Sequence, residues 1–378
     1  MIKQAKKVNM DRRKHHYIVH CEGAYPVLPD RRDCSSALRY AVTCCRQPFG
    51  GESSCIESER FMKSTVVTLT MNPSIDVSTR TKNITANRKL RCAAPRHEPR
   101  GGGINVAVAM EELGGKATAI FPCGGPPGES LQQLLQTHDI DFRTIPIKGW
   151  TRSNLAVYEE ETEDQYRFLM PGPEMSSQEV QACLDQVDAV EPAPTYLIVS
   201  GRLPPGVPSA FMQKIADLAH TKQAKLIVDT SGEALQAAVD AGVYMLKPNI
   251  NELCMLSGKR ELSESEQEDA LKRLIENKSC NVAVLSLGAA GVLLATQDQM
   301  VRLRAPSVPI QSRVGAGDSS IAGTVMGLCR GYEIADAVRY GVAAGSAAVM
   351  TPGSQLCRRK DVERLWHDLR RNQDAASH

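Results

Sequence analysis

The sequence predicts an α/β fold: a doubly wound, mostly parallel sheet flanked by helices, with a small β-sheet lid. Three observations predict it. From residue 64 onward, short apolar runs alternate with amphipathic stretches, the pattern of a sheet covered by helices. Most of those runs are continuously apolar, as strands buried on both faces require. Two stretches, 76–100 and 150–170, alternate polar with apolar residues and hold no intervening helix, so a second, half-exposed sheet is expected there.

In chain order, strands are expected at 64–70, 117–121, 195–200, 225–229, 244–247 and 282–287. Helices are expected between and after them, at 105–113, 129–137, 177–187, 208–220, 231–241, 249–256, 265–276, 317–328, 333–349 and 361–369. The lid strands include Asn154-Leu155-Ala156-Val157-Tyr158 and Gln165-Tyr166-Arg167-Phe168-Leu169. Glycine-rich and polar loops follow several core strands, at 201–206, 248–249, 288 and just before Asp318. Ligands of such sheets bind beyond the carboxyl ends of the strands, and a lid over that edge would close on them.

The chain has 378 residues, 42% of them hydrophobic and 23% charged, an ordinary composition for a globular protein. Its net charge of +2 makes no electrostatic case for nucleic acid or a membrane surface. No apolar run approaches the roughly 20 residues that span a bilayer. Residues 1–61 stand apart, with 11 Lys+Arg against 7 Asp+Glu, five of the twelve cysteines and little apolar periodicity. They read as a basic, Cys-rich extension, disordered or not native. Met62 directly precedes the first strand and is the expected native start, with the main domain running over 62–372. No continuous apolar core follows the charged start, so no secretory signal is expected. The remaining cysteines form no C-x-x-C pair or zinc spacing and read as isolated buried thiols of a cytoplasmic protein.

The run Val314-Gly315-Ala316-Gly317-Asp318-Ser319 carries the most chemistry. Its glycines let the backbone turn and approach a ligand. The helix that follows offers unpaired N–H groups and the positive end of its dipole to a phosphate. Asp318 is placed to take a proton from a hydroxyl, although a lone Asp at a helix start is more often a cap. Arg100-Gly101-Gly102-Gly103-Ile104-Asn105 sets three glycines directly before a helix, without the G-x-G-x-x-G spacing of a dinucleotide site. A close backbone approach to a polar substrate is expected, with Asn105 bonding its hydroxyls. No G-x-x-x-x-G-K-[ST] occurs, and the protein-kinase signatures are absent.

Five stretches, "RGGGINVAVA", "SGRLPPGV", "KPNINEL", "SLGAAG" and "VGAGDSS", occur in the order and spacing of the PfkB (ribokinase-like) carbohydrate kinases. The chain resembles that family over roughly 63–370. Stretches such as "MNPSID", "KLRCAAP" and "EDQYRFLMPGP" are most similar to its ATP-dependent 6-phosphofructokinase branch.

The resemblance implies ATP-dependent phosphorylation of fructose 6-phosphate at its C1 hydroxyl. Asp318 would be the base, with Gly315, Ala316 and Gly317 as the anion hole. Asp76, Lys89, Gly101, Gly102, Gly103, Asn105 and Arg152 would meet the sugar phosphate. Lys247, Asn249, Ser286, Gly288, Val342 and Ser346 would meet the nucleotide. Asn249 and Glu252 would order magnesium through water, though N-x-x-E at a helix start is also a capping pattern. Ser312, Val314, Ala348 and Gly353 resemble a potassium site. Kinases of tagatose 6-phosphate or fructose 1-phosphate, and a non-catalytic sugar-phosphate sensor, are the rival readings. A homodimer through the lid is the expected assembly. Three places depart from the family pattern: Arg100 stands at a common glycine, Arg202 at a usual serine, and Thr351-Pro352-Gly353-Ser354-Gln355 where Asn and Arg are often found.

Overall fold

The computed structural model describes residues 64–353 and 355–376. The expectations for residues 1–61 and for Met62 as a start lie outside them. The strands are β1 (Val66–Leu69), β2 (Ser74–Thr81), β3 (Arg96–Arg100), β4 (Thr118–Cys123), β5 (Asp141–Pro146), β6 (Arg152–Glu159), β7 (Gln165–Phe168), β8 (Tyr196–Ser200), β9 (Lys225–Asp229), β10 (Val243–Leu246), β11 (Cys280–Ser286), β12 (Val292–Ala295) and β13 (Met300–Leu303). The first helices are α1 (Gly102–Glu112), α2 (Gly125–Leu135), α3 (Ser177–Asp188), α4 (Phe211–Thr221) and α5 (Glu233–Ala241). The short α6 (Ile250–Leu256) follows, then α7 (Glu264–Glu276), α8 (Ala316–Cys329), α9 (Ile334–Val349) and α10 (Arg359–Ala376).

Nine strands form the large sheet in the order β13-β12-β11-β10-β9-β8-β1-β4-β5. Pairing is parallel from β5 through β11, and β12 and β13 are added antiparallel. Every residue of β1, β8 and β12 is buried, which is why these strands are written in unbroken apolar runs. Two cores lie on opposite faces of the sheet. One joins α1, α2, α8, α9 and α10 to it, the other α3 through α7. Leu69 and Ile198, both fully buried, point into different cores. The predicted second sheet is present, with four strands in the order β3-β2-β6-β7. Its central pair β2–β6 is parallel and its outer pairs are antiparallel.

Three features depart from the expected elements. The edge strand β5 has only Ile145 buried and carries no apolar run to mark it. The β12–β13 hairpin is short, with four residues in each strand. Helices α1 and α2 begin earlier than expected, at Gly102 and Gly125. The start of α2 holds prolines in its first positions, where a missing N–H costs nothing. Among the described residues no helix is long and apolar enough to cross a membrane. Of the described cysteines, Cys92 is exposed and the other six are buried, all as free thiols.

Candidate active site

The carboxyl ends of β8, β9 and β10 converge with the start of α8. Gly315 caps α8 with φ +78°, a left-handed conformation that suits glycine. Ala316, Gly317 and Asp318 therefore fill the first turn, whose amides have no partner within the helix. Gly317 is open to solvent, and a Cβ built there would come 3.6 Å from Lys247 Nζ. Asp318 does not cap the helix. Its Oδ2 accepts from Asn105 Nδ2 at 2.8 Å and its Oδ1 from Ser200 Oγ at 3.3 Å.

Burial pushes the Asp318 carboxyl up from the ordinary 3.8 to about 6. The Asn105 hydrogen bond opposes that rise, the Asp229 charge adds to it, and Lys247 and Ser200 pull it back. Lys247 Nζ lies 3.0 Å from Asp229 Oδ2. Burial would lower the lysine's pKa, but Asp229, with Asp318 and Glu252, outweighs it and holds the ammonium charged. Two carboxylates and one cation thus share the end of the sheet.

Asn105 reaches Asp318 because α1 begins against β1 and β8. Gly101 has φ +145°, and a Cβ there would lie 2.5 Å from Thr70 Cγ2. A Cβ on Gly102 would collide with Ser200. The three glycines are therefore a cap and the first turn of α1, and Gly102 and Gly103 are part of the helix itself. Thr70 Oγ1 accepts the Ile104 N–H at 3.0 Å and ties that turn to the end of β1.

On the small sheet, Asp76 pairs in register with Asn154. Asp76 Oδ1 accepts from Asn154 Nδ2 at 2.8 Å and from Ser74 Oγ at 3.1 Å. Arg152 donates to the carbonyls of Asn72 at 2.9 Å and Met170 at 3.1 Å. Burial lowers its pKa, Asp76 raises it, and the nearby Arg202 charge lowers it further. Lys89 lies exposed in the β2–β3 loop and forms no ion pair among the described residues.

Behind the first turn of α8 lies a cavity of about 730 Å³. Ser286, Gly288, Gly317, Ser320, Val342 and Ser346 are among its lining residues, so four of the residues expected to meet the nucleotide come together at one place. A second cavity, of about 520 Å³ between α5, α6 and α7, shares no lining residue with it.

Asn249 and Glu252 form a reciprocal capping box at the start of α6: Asn249 N–H donates to Glu252 Oε2 at 2.8 Å, and Glu252 N–H to Asn249 Oδ1 at 3.0 Å. Burial raises the Glu252 pKa despite that bond. Among the described residues no cluster of three His, Cys, Asp or Glu could chelate a metal directly. Ala348 does not fit a cation ligand, because its carbonyl already accepts Thr351 N–H at 3.1 Å and Thr351 Oγ1 at 2.7 Å. Ser312 Oγ accepts only the Val314 N–H, at 3.2 Å, among the described residues, and keeps a second lone pair.

Sequence reasoning missed Asp229, Ser200 and Asn154. Each is a strand residue whose partner lies far along the chain. The clue was position: Ser200 and Asp229 are the last residues of β8 and β9, where ligand sites of parallel sheets gather.

The large sheet with a four-stranded appendage is the architecture of ribokinase-like sugar kinases. A ribokinase from Arabidopsis thaliana superposes with a TM-score of 0.64 over 80% of this chain and 99% of that one, at 16% identity. Residues 62–361 match the model of the pfkB family carbohydrate kinases, and the chain belongs to that family. The ATP-dependent 6-phosphofructokinase isozyme 2 of Mycobacterium tuberculosis is 42% identical over 304 residues, covering 80% of this chain and 89% of that protein. The Escherichia coli phosphofructokinase-2 crystallised with potassium is 39% identical with a TM-score of 0.78, covering 81% of this chain and 99% of its own.

Proposed function

We propose that this chain phosphorylates fructose 6-phosphate at the C1 hydroxyl, consuming ATP and yielding fructose 1,6-bisphosphate and ADP. The observation that carries the reading is Asp318. It is held by Asn105 and Ser200 in the first turn of α8, beside open amides and the mouth of the 730 Å³ cavity. The relatives named above at about 40% identity are 6-phosphofructokinases, and the family match covers the whole site.

In this reading ATP lies in the cavity, with its base against Val342 and Ser346 and its phosphates toward Gly288 and Lys247. The sugar phosphate lies between the small sheet and α1. Asp76 and Asn105 hold its hydroxyls, and the Arg152 guanidinium, with Lys89 swung in from the loop, takes its phosphate. A carboxyl with a pKa near 6 is ionised at neutral pH yet basic enough to share the hydroxyl proton in the transition state. The amides of Gly315, Ala316 and Gly317 meet the charge on the transferring group, each worth about 3 kcal/mol. Magnesium, when bound with the nucleotide, would neutralise phosphate charge, and Asn249 and Glu252 would order its waters. Potassium would need Ser312, Val314 and Gly353 without Ala348. A cytoplasmic enzyme of glycolysis, working as a dimer through the small sheet, completes the reading.

The test is Asp318→Asn, assayed by ADP release with fructose 6-phosphate. Turnover falls at least about 100-fold, the usual scale of lost base assistance. An Asn variant that turns over like the parent rejects the assignment. A panel with tagatose 6-phosphate and fructose 1-phosphate, compared by kcat/KM, ranks the acceptor sugars.

A further inference from the structure

Arg100 is the last residue of β3, at the joint between the small sheet and α1. A charged side chain at such a place normally points to water, yet this one is 9% exposed. Its Nε lies 4.0 Å from Asp76 Oδ2, and its Nη2 lies 3.5 Å from Glu98 Oε2. Its Nη1 donates to Asn105 Oδ1 at 3.4 Å. Asn105 then passes its Nδ2 to Asp318 Oδ2 at 2.8 Å. The order is therefore Asp76, Arg100, Asn105, Asp318: small-sheet carboxylate, guanidinium, amide, base.

An amide has an accepting end and a donating end. A guanidinium only donates, and an ionised carboxylate only accepts. Arg100 and Asp318 thus select the same orientation of the Asn105 side chain. Were Asp318 to take up a proton, its O–H could serve the amide oxygen, and the amide could turn over. Arg100 opposes that turn, because the amide NH2 would then face another donor and leave a buried group unsatisfied.

We propose that Arg100 is a positioning residue for phosphoryl transfer: it locks the Asn105 amide with its NH2 on Asp318 and so ties the base to the small-sheet carboxylate Asp76. The proposal rests on Asp318 being the base. The other groups facing Asp318 are Ser200 at the end of β8, Asp229 at the end of β9 and Lys247 just after β10. Ser200 meets Asp318 directly, and Asp229 and Lys247 pair with each other beside it.

The experiment uses the full chain carrying Arg100→Met, Arg100→Lys, Asn105→Ala or the Arg100→Met/Asn105→Ala pair. Each is followed by kcat and KM across pH with ATP and fructose 6-phosphate. Arg100→Met lowers kcat about tenfold, the scale of one charge-assisted hydrogen bond, and moves the acidic limb of kcat to higher pH. KM for ATP does not move. Arg100→Lys recovers part of both effects. In the Asn105→Ala background Arg100→Met causes no further loss, since the residue it acts through is gone. The proposal is overturned if Arg100→Met keeps the parental kcat and pH limb, even with a lower thermal midpoint. It is equally overturned if the loss is undiminished without Asn105. Should Arg100→Met fail to fold, Arg100→Gln carries the same expectations. An inactive Asp318→Asn beside a fully active Arg100→Met rejects the positioning role alone, whereas an active Asp318→Asn rejects the base.

Discussion

The burial of Asp318 carries a cost in stability at neutral pH. A carboxyl whose folded pKa is about 6 against an unfolded value near 3.9 binds its proton more tightly when folded. Its favourable contribution is complete below the unfolded pKa and is lost as pH rises through the folded one. At neutral pH the ionised group therefore destabilises the protein. Asp318→Asn, which removes that charge, is expected to raise stability at pH 7 to 8 by on the order of 2 kcal/mol once solvent screening is allowed for. The gain shrinks below about pH 6 and vanishes below about pH 4. Urea melts of the parent and the variant at several pH values check it. A variant less stable than its parent at pH 8 contradicts the sign. The same residue shows what a sequence reveals of a site. Asp318 and the glycines around it are contiguous, so their chemistry is written in one stretch. Ser200, Asp229 and Asn154 come from distant strands, and only the sheet order brings the first two within reach of Asp318 and Lys247. Asn249 and Glu252 were legible as a pair, but capping and metal ordering ask for the same two residues, and spacing alone does not separate them.

At the scale of elements, the 730 Å³ cavity proposed to take the nucleotide depends on how closely α9 lies against α8. Gly341 on α9 allows that approach: a Cβ there would stand 2.5 Å from the Ser320 carbonyl and would meet Thr324 as well. Gly323 on α8 makes the reciprocal contact, 2.6 Å from the Ala344 Cβ. Ser320, Val342, Gly345 and Ser346 all line the cavity, so separating the helices distorts its wall. Gly341→Ala is expected to lower stability by about 1–3 kcal/mol, the cost of overpacking. It should also raise KM for ATP more than KM for the sugar phosphate. Thermal melting with initial-rate kinetics tests both, and an unchanged KM for ATP detaches the cavity from this helix contact. The core strands and most helices were legible because burial on one or both faces writes a period into the sequence. The edge strand β5 escaped because its partner β4 pairs with it on one side only, and its residues mix charge with apolar groups. The glycines before α1 misled for a different reason. They are poor helix formers by propensity, yet the close approach to Thr70 and Ser200 demands them inside the first turn.

For the whole molecule, the small sheet is the part that does not stand alone. Leu155 faces Phe168 across β6 and β7, and Val157 faces Tyr166, so these side chains share one surface. Phe168 is 50% exposed, and the residues that follow, Leu169 and Met170, are also exposed. A contiguous apolar patch on a sheet face is costly in water and is commonly covered by a partner. A second copy of the chain, presenting the same surface, satisfies this with two-fold symmetry. The patch also adjoins the side proposed to take the sugar phosphate, because Met170 lends its carbonyl to Arg152 at 3.1 Å. Pairing would hold that segment still and fix the guanidinium proposed to meet the sugar phosphate. Light scattering of the active enzyme is therefore expected to give about twice the chain mass. Phe168→Glu should yield monomers that remain folded, with KM for fructose 6-phosphate raised about tenfold and KM for ATP little changed. A tenfold rise is within the reach of one misplaced charged contact. If Phe168→Glu remains dimeric, the interface lies elsewhere; if it is monomeric with the parental KM for sugar, pairing and substrate binding are independent. The distinction matters physically, since only a coupled arrangement makes the exposed sheet face part of the active site.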